Sequence, residues 1–261
     1  MSRALGRELG RLVAATRGWL EELHEEGVEA LAAPTAPART TAAREPRAVA
    51  SPSAPGSAQL GLVGGEPASP WGASPTLDAV REALGECTRC RLHQGRSRIV
   101  FGDGNPDADL LFVGEGPGAE EDRRGLPFVG RAGELLTSMI EKGLGIPRRD
   151  VYICNIVKCR PPENRTPLAD EAATCRPFLD GQIAAVRPRV IIALGKPAAS
   201  LLLGREVSIT RIRGIWHDYR GIPLMPTFHP AFILRQYTQE NRRAVWSDLR
   251  AALERSRQPD Q

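Results

Sequence analysis

"ADLLFVGEGPGAEEDRRGLPFVGRAGELLTSMIEKGLG", residues 108–145, joins an unbroken apolar run to an amphipathic one through a loop rich in glycine and acid. Residues 108–114 are apolar from Ala108 onward except for Asp109, the pattern of a strand buried on both faces. Residues 132–145 carry apolar side chains at helical spacing. The loop between them leaves one aromatic ring, Phe128, among glycines. The same alternation recurs downstream. "VYICNIV" (151–157) predicts a strand and residues 167–186 a helix. "RVIIALG" (189–195) predicts a strand and "KPAASLLLG" (196–204) a helix. "IPLMPTFHP" (222–230) predicts a last strand, and residues 239–256 a closing helix. Apolar strands separated by helices predict an α/β protein whose parallel sheet is covered by helices on both faces. Such sheets bind ligands at the carboxyl ends of their strands. Three of those ends carry "GEGPG", "CN" and "TFHP", so these motifs are expected to converge.

The chain has 261 residues, 41% of them hydrophobic, enough for a sizeable core. The core is not spread evenly. Leu5, Leu9, Leu12, Val13, Leu20 and Leu23 predict an amphipathic N-terminal helix within residues 1–31. Residues 32–76 turn to Ala, Pro, Ser and Gly, a composition that buries too little apolar surface to offset chain entropy. They predict a disordered linker, with the folded domain spanning residues 77–256. A net charge of +4 leans only mildly toward polyanionic partners. No apolar run approaches the roughly 20 residues of a membrane helix. The N-terminus lacks the apolar core of a secretory signal, and Glu8, Glu21, Glu22, Glu25 and Glu26 argue against an organellar transit peptide. A reducing, cytoplasmic setting is therefore expected, and there the five cysteines are metal ligands or core residues rather than disulfides.

Cys87 and Cys90 form "CTRC", with Cys159 and Cys175 far downstream, all in polar loops rich in Arg and Pro. Four thiolates suit a 4Fe–4S cluster or a tetrahedral zinc ion, and spacing alone leaves both open. Cys154, inside an apolar strand, is expected in the core. Arg89, Arg91, Arg160, Arg165 and Arg176 flank the four cysteines. They serve either to offset thiolate charge or to contact phosphates.

"GEGPGAEEDRRGLPFVGRAG", "YICNIVKCRPPENRTP" and "TFHPAFILR", with the four cysteines in this order, closely resemble the type-4 uracil-DNA glycosylases over residues 77–256. The resemblance implies an α/β/α sandwich around a four-stranded parallel sheet. It also implies a mainly structural 4Fe–4S cluster on Cys87, Cys90, Cys159 and Cys175, and uracil-containing DNA as substrate. An enzyme of this family works on a base flipped out of the helix. Phe128 is then expected to stack on that base, and Asn155 to meet uracil O4 and N3–H with one amide. His229 is expected to stabilise the departing uracil anion at O2. Other classes carry a water-activating aspartate where Gly116 stands here, which leaves Glu115 to position water or pocket backbone. Glu121 is expected at the C5 edge of the base, with Glu120 or Asp122 as alternative acids. Leu234 or Arg235 is expected to fill the hole left by the flipped nucleotide, with Arg160 and Arg165 on the DNA backbone.

Two other readings stand beside this one: a glycosylase of broader damaged-base range, and a non-catalytic iron–sulfur DNA-binding module of the same fold. A class that bonds covalently to the abasic product through a histidine-bearing loop is disfavoured, because "RPPENRTP" holds no histidine. Phe128, Asn155 and His229 together argue against mere binding. A monomer is expected, and a replication or repair protein is the expected partner of the N-terminal region.

Overall fold

A computed structural model of the chain describes Trp71 and residues 75–258. The expected N-terminal helix lies outside the described residues, as does the linker except for Trp71, Pro75 and Thr76. Helix α1 (Leu77–Leu84) starts at Thr76, whose side chain accepts a hydrogen bond from the Ala79 amide, as an N-cap should. Strands β1 (Asp103–Gly104) and β2 (Leu110–Gly114) follow, then helices α2 (Ala119–Arg124) and α3 (Arg131–Ser138). Helix α3 widens into a π-type turn over Met139–Leu144. Next come β3 (Tyr152–Asn155), α4 (Ala169–Val186), β4 (Val190–Leu194), α5 (Lys196–Leu203) and the short α6 (Ile209–Ile212). The chain closes with β5 (His217–Tyr219), β6 (Ile222–Thr227), α7 (Pro230–Arg235) and α8 (Gln239–Ser256).

The sheet runs in the order β1-β3-β2-β4-β6-β5. Its four inner strands are parallel, as expected. Two short antiparallel strands extend it, β1 on β3 and β5 on β6. These edges left little trace in the sequence. β1 is two exposed residues, and β5 has no apolar run. The β5–β6 hairpin turns at Arg220 and Gly221, both at positive φ, as a tight two-residue hairpin requires.

β2 and β4 are buried along their whole length, which explains why their sequences do not alternate. Alternate residues instead feed two cores. Leu111, Val113, Ile191 and Ala193 face α4 and α5 through Leu179, Ile183, Ala199 and Leu202. Leu110, Phe112, Ile192 and Leu194 face α3 and α8 through Leu136, Val245 and Leu249. The sheet is thus sandwiched between helices. A smaller cluster of Val80, Leu84, Phe101 and Phe178 fixes α1 against α4. Trp71 extends that cluster: its ring lies 5.7 Å from Phe178 and its Nε1 donates to the Pro177 carbonyl at 2.9 Å. Ordered contacts therefore begin before residue 77. Among the described residues, no helix is long and apolar enough to cross a membrane.

Candidate active site

Pairing register levels the carboxyl ends of the inner strands. Gly114 lies opposite Asn155, and Leu194 opposite Thr227. The β2–β3 pairing runs on past the strands, with the Ile156 amide donating to the Gly114 carbonyl at 2.9 Å. Gly114 is where the site closes up. A methyl group there would stand 2.4 Å from Asn155 Oδ1 and 2.5 Å from Phe128 Cζ. Only glycine permits this approach, and the same spot brings the amide and the aromatic ring together.

Phe128 is 6% exposed and held at φ 51°, a left-handed backbone that costs a non-glycine residue about 1–2 kcal/mol. Its neighbours clamp it there. Glu121 Oε1 accepts from the amides of Val129 (2.9 Å) and Gly130 (2.8 Å). Arg148 donates to the Pro127 carbonyl and to Thr137 Oγ1, each at 2.7 Å. Gly133 lets α3 lie directly on the turn, since a Cβ there would fall 2.0 Å from the Phe128 carbonyl carbon.

Glu121, expected at the C5 edge of the base, is bonded through Oε1 to the Phe128 turn. The carboxylate is engaged by two backbone amides and acts as a clamp on the Phe128 turn. Its alternatives are engaged as well: Glu120 pairs with Arg123 at the surface, and buried Asp122 accepts from the Ser97 amide. Glu121→Ala should therefore loosen the ring and leave the chemistry intact. KM for uracil-containing DNA is expected to rise about 10-fold while kcat changes less than 3-fold, consistent with loss of two charge-assisted hydrogen bonds. Steady-state kinetics would decide it, and a loss confined to kcat would contradict the clamp.

Asn155 ends β3 at 1% exposure, and its Oδ1 has no hydrogen-bond partner. An unmet buried acceptor costs about 1–3 kcal/mol. Such a group beside an aromatic ring is poised for a ligand donor. His229 follows β6, whose last residue, Thr227, is tied to the fold twice. Its hydroxyl donates to buried Asp248 at 2.6 Å, and its carbonyl accepts from the Gly195 amide at 2.9 Å. The Ala231 amide donates to His229 Nδ1 at 3.1 Å, so His229 caps α7 and its proton sits on Nε2. Burial, with Arg235 nearby, pushes the imidazole pKa down to about 4. The ring is neutral at pH 7, a hydrogen-bond donor without charge. Its centroid is 5.6 Å from that of Phe128.

Phe128, from the loop before α3, thus comes together with Asn155 and His229, which follow the carboxyl ends of β3 and β6. Around them, Glu115 is half-buried; burial raises its pKa, while the Thr166 hydroxyl and Arg235 pull it back. Gly116 packs on the Val157 side chain, where a Cβ would be 3.0 Å from Cγ2. Leu234 and exposed Arg235 end α7, the helix that His229 starts. Arg160 donates to Asn164 Oδ1 at 2.8 Å. Arg165, expected on the DNA backbone, bonds Glu171, a fully buried carboxylate, through both Nη groups, so its fork holds the loop to α4.

The four cysteines expected as ligands line one cavity, which Lys158 and Phe178 also face. Cys87 and Cys90 reach it from the segment after α1, Cys159 from the loop after β3, and Cys175 from α4. Arginines supply positive charge at the sulfurs. Arg89 Nη1 lies 3.2 Å from Cys87 Sγ, and Arg96 Nη1 3.3 Å from Cys159 Sγ. Four soft donors around one enclosed space, with cations behind two of them, fit a thiolate-bound metal group. Cys154 is fully buried in the core, as expected. The sequence reading missed Arg96, Arg148, Asp248 and Lys158. None lies in a pattern that periodicity or spacing could mark, although Lys158 is one of only three lysines against 32 arginines.

Residues 101–250 match the model of the uracil DNA glycosylase superfamily. Over 178 residues the chain is 51% identical to the type-4 uracil-DNA glycosylase of Thermotoga maritima, covering 67% of this chain and 92% of that protein. It is 42% identical to the type-4 uracil-DNA glycosylase of Saccharolobus solfataricus over 68% of this chain and 85% of that protein. Similarity to the type-5 uracil-DNA glycosylase of Thermus thermophilus is lower, 31% over 64% of this chain and 84% of that protein.

Proposed function

The chain belongs to the uracil-DNA glycosylase superfamily and, within it, to the type-4 enzymes, and from that membership we infer which of its residues carry the reaction. It is a hydrolase of N-glycosyl bonds that removes uracil from DNA in repair. The reaction needs an extruded base, a reader of its edge, and stabilisation of the charge that separates as the bond breaks.

In this reading Phe128 stacks on the flipped uracil, a contact worth about 1–3 kcal/mol per base. Asn155 Oδ1 accepts from uracil N3–H, and the amide nitrogen donates to O4. Cytosine offers the opposite pair, an acceptor at N3 and donors at N4, so it leaves both sides of an amide in this orientation unmet. His229, protonated on Nε2, donates to O2 as electrons move from the glycosidic bond onto the base. Glu115 holds the water that attacks the sugar carbon, because Gly116 has no side chain to do so. Leu234 and Arg235 enter the vacated base position, and Arg160 contacts the backbone.

The four thiols would hold a 4Fe–4S cluster, which when bound ties three distant segments of chain into one unit. Cys159 is four residues from Asn155, so this tie supports the β3 end of the pocket.

One observation carries the reading: a buried amide oxygen lacking a partner, set beside an aromatic ring that in turn lies against a neutral imidazole. Labelled oligonucleotides carrying uracil, thymine, hypoxanthine or cytosine, treated with alkali after incubation, test it. Cleavage is expected at uracil alone; equal cleavage at hypoxanthine would favour the broader-range reading.

A further inference from the structure

Lys158 is 1% exposed, and its Nζ donates to the Asn155 carbonyl at 2.6 Å and to Gln182 Oε1 at 2.5 Å. Both acceptors are neutral, and no carboxylate among the described residues pairs with it. Taking an ammonium out of water without a counter-charge is costly. Lys158 also lines the cavity of the four thiols, with its backbone amide bonded to Cys175 and its side-chain charge felt at that sulfur. A 4Fe–4S cluster on four thiolates carries net negative charge, and it is the one anion the surroundings of Lys158 provide for. The residue type agrees. In a chain with 32 arginines and three lysines, the buried position holds the compact ammonium, whose three donors can point in separate directions.

We propose that Lys158 is a positioning residue that couples the iron–sulfur cluster to uracil recognition: its ammonium is the cluster's counter-ion and holds the backbone of the uracil-reading Asn155. This rests on the cluster reading given above. Gln182 completes the device. Its Nε2 donates to the Phe101 carbonyl at 2.8 Å and to the Tyr152 hydroxyl at 3.1 Å, which fixes the oxygen that faces Lys158. The Lys158 hydrogen bond falls on the main-chain carbonyl of Asn155, so it places the residue without occupying the atoms that read the base. A cluster with no part in bond cleavage thereby acts on specificity.

The test uses the iron-loaded full chain. Lys158→Met should raise the inhibition constant of free uracil about 10-fold, leave affinity for uracil-free DNA within 2-fold, and speed loss of absorbance near 400 nm to a chelator. Unchanged uracil inhibition and unchanged cluster loss in the folded variant would overturn the proposal. Should this variant not fold, ¹⁵N-lysine labelling of the unaltered protein decides the matter, since it carries only three lysines. One ammonium signal should be protected from solvent exchange and should shift both on uracil saturation and on cluster removal. A protected signal indifferent to uracil would overturn it. An active, iron-free protein would instead strike at the cluster reading itself.

Discussion

Asn155→Asp is expected to lower kcat/KM on uracil-containing DNA on the order of 10³-fold, because a site built around a hydrogen-bond pattern rejects a mismatch that strongly. The substitution replaces the donor to uracil O4 by an oxygen and changes almost nothing else in volume. If the acid ionises, it repels O4. If burial keeps it protonated, the proton can sit on either oxygen, so the acid no longer prefers the uracil pattern to the cytosine one. The protonated acid does match cytosine, giving a donor for N3 and an acceptor for N4–H₂, so slow release of cytosine is expected in the same assay. Folding should be little affected, because Asn155 Oδ1 makes no internal hydrogen bond that could be lost. A thermal midpoint within a few degrees of the parent would separate this result from simple unfolding. Uracil release at the parental rate would remove Asn155 from the pocket.

How far this site was legible in the sequence follows from the kind of signal each part leaves. β2, β3 and β4 are buried along their whole length and β6 over its last four residues, so each appears as a largely apolar run, and the parallel sheet was readable from that alone. The edge strands satisfy only one neighbour and remain polar, so no pattern betrayed them. Convergence of "GEGPG", "CN" and "TFHP" followed from strand polarity. Their roles did not. By itself Asn155 suits a turn, Phe128 a core and His229 a helix cap, which His229 in fact also is. Those roles came through resemblance and gain support from the orphaned amide oxygen and the Gly114 approach. Charged side chains were the hardest to read. Glu121, Arg165 and Lys158 look solvated in sequence, yet each is committed to partners that only the fold brings within reach. The separations of six to nine residues between Glu121 and its amide partners, or between Arg165 and Glu171, carry no periodicity that could mark such a bond.

His229→Ala is expected to lower kcat on the order of 10²–10³-fold, the usual effect of removing one donor from a developing anion. Binding of uracil-containing DNA should weaken far less, because stacking and edge reading remain. The alanine also strips the cap from α7, at a cost of about 1 kcal/mol. His229→Asn separates the two roles: its short amide can still accept from the Ala231 amide but cannot reach where Nε2 reaches. Stability should therefore recover in the asparagine variant while kcat stays low. If kcat recovers with stability, the imidazole serves the helix and not the leaving group. Protonation gives an independent handle. A pKa near 4 means the ring stays neutral from pH 8 down to about pH 5, so the rate should show no inflection near 6.5 from this group. The linkage has a definite sign. Between pH 6.5 and 4 the unfolded chain binds a proton at His229 that the folded chain refuses, so stability falls as pH drops through that window and is complete above it. In the His229→Asn variant that part of the pH dependence should vanish. NMR titration of the parent with a His229 midpoint of 6 to 7 would refute the neutral-donor role, since the imidazole would then be partly cationic where the enzyme works.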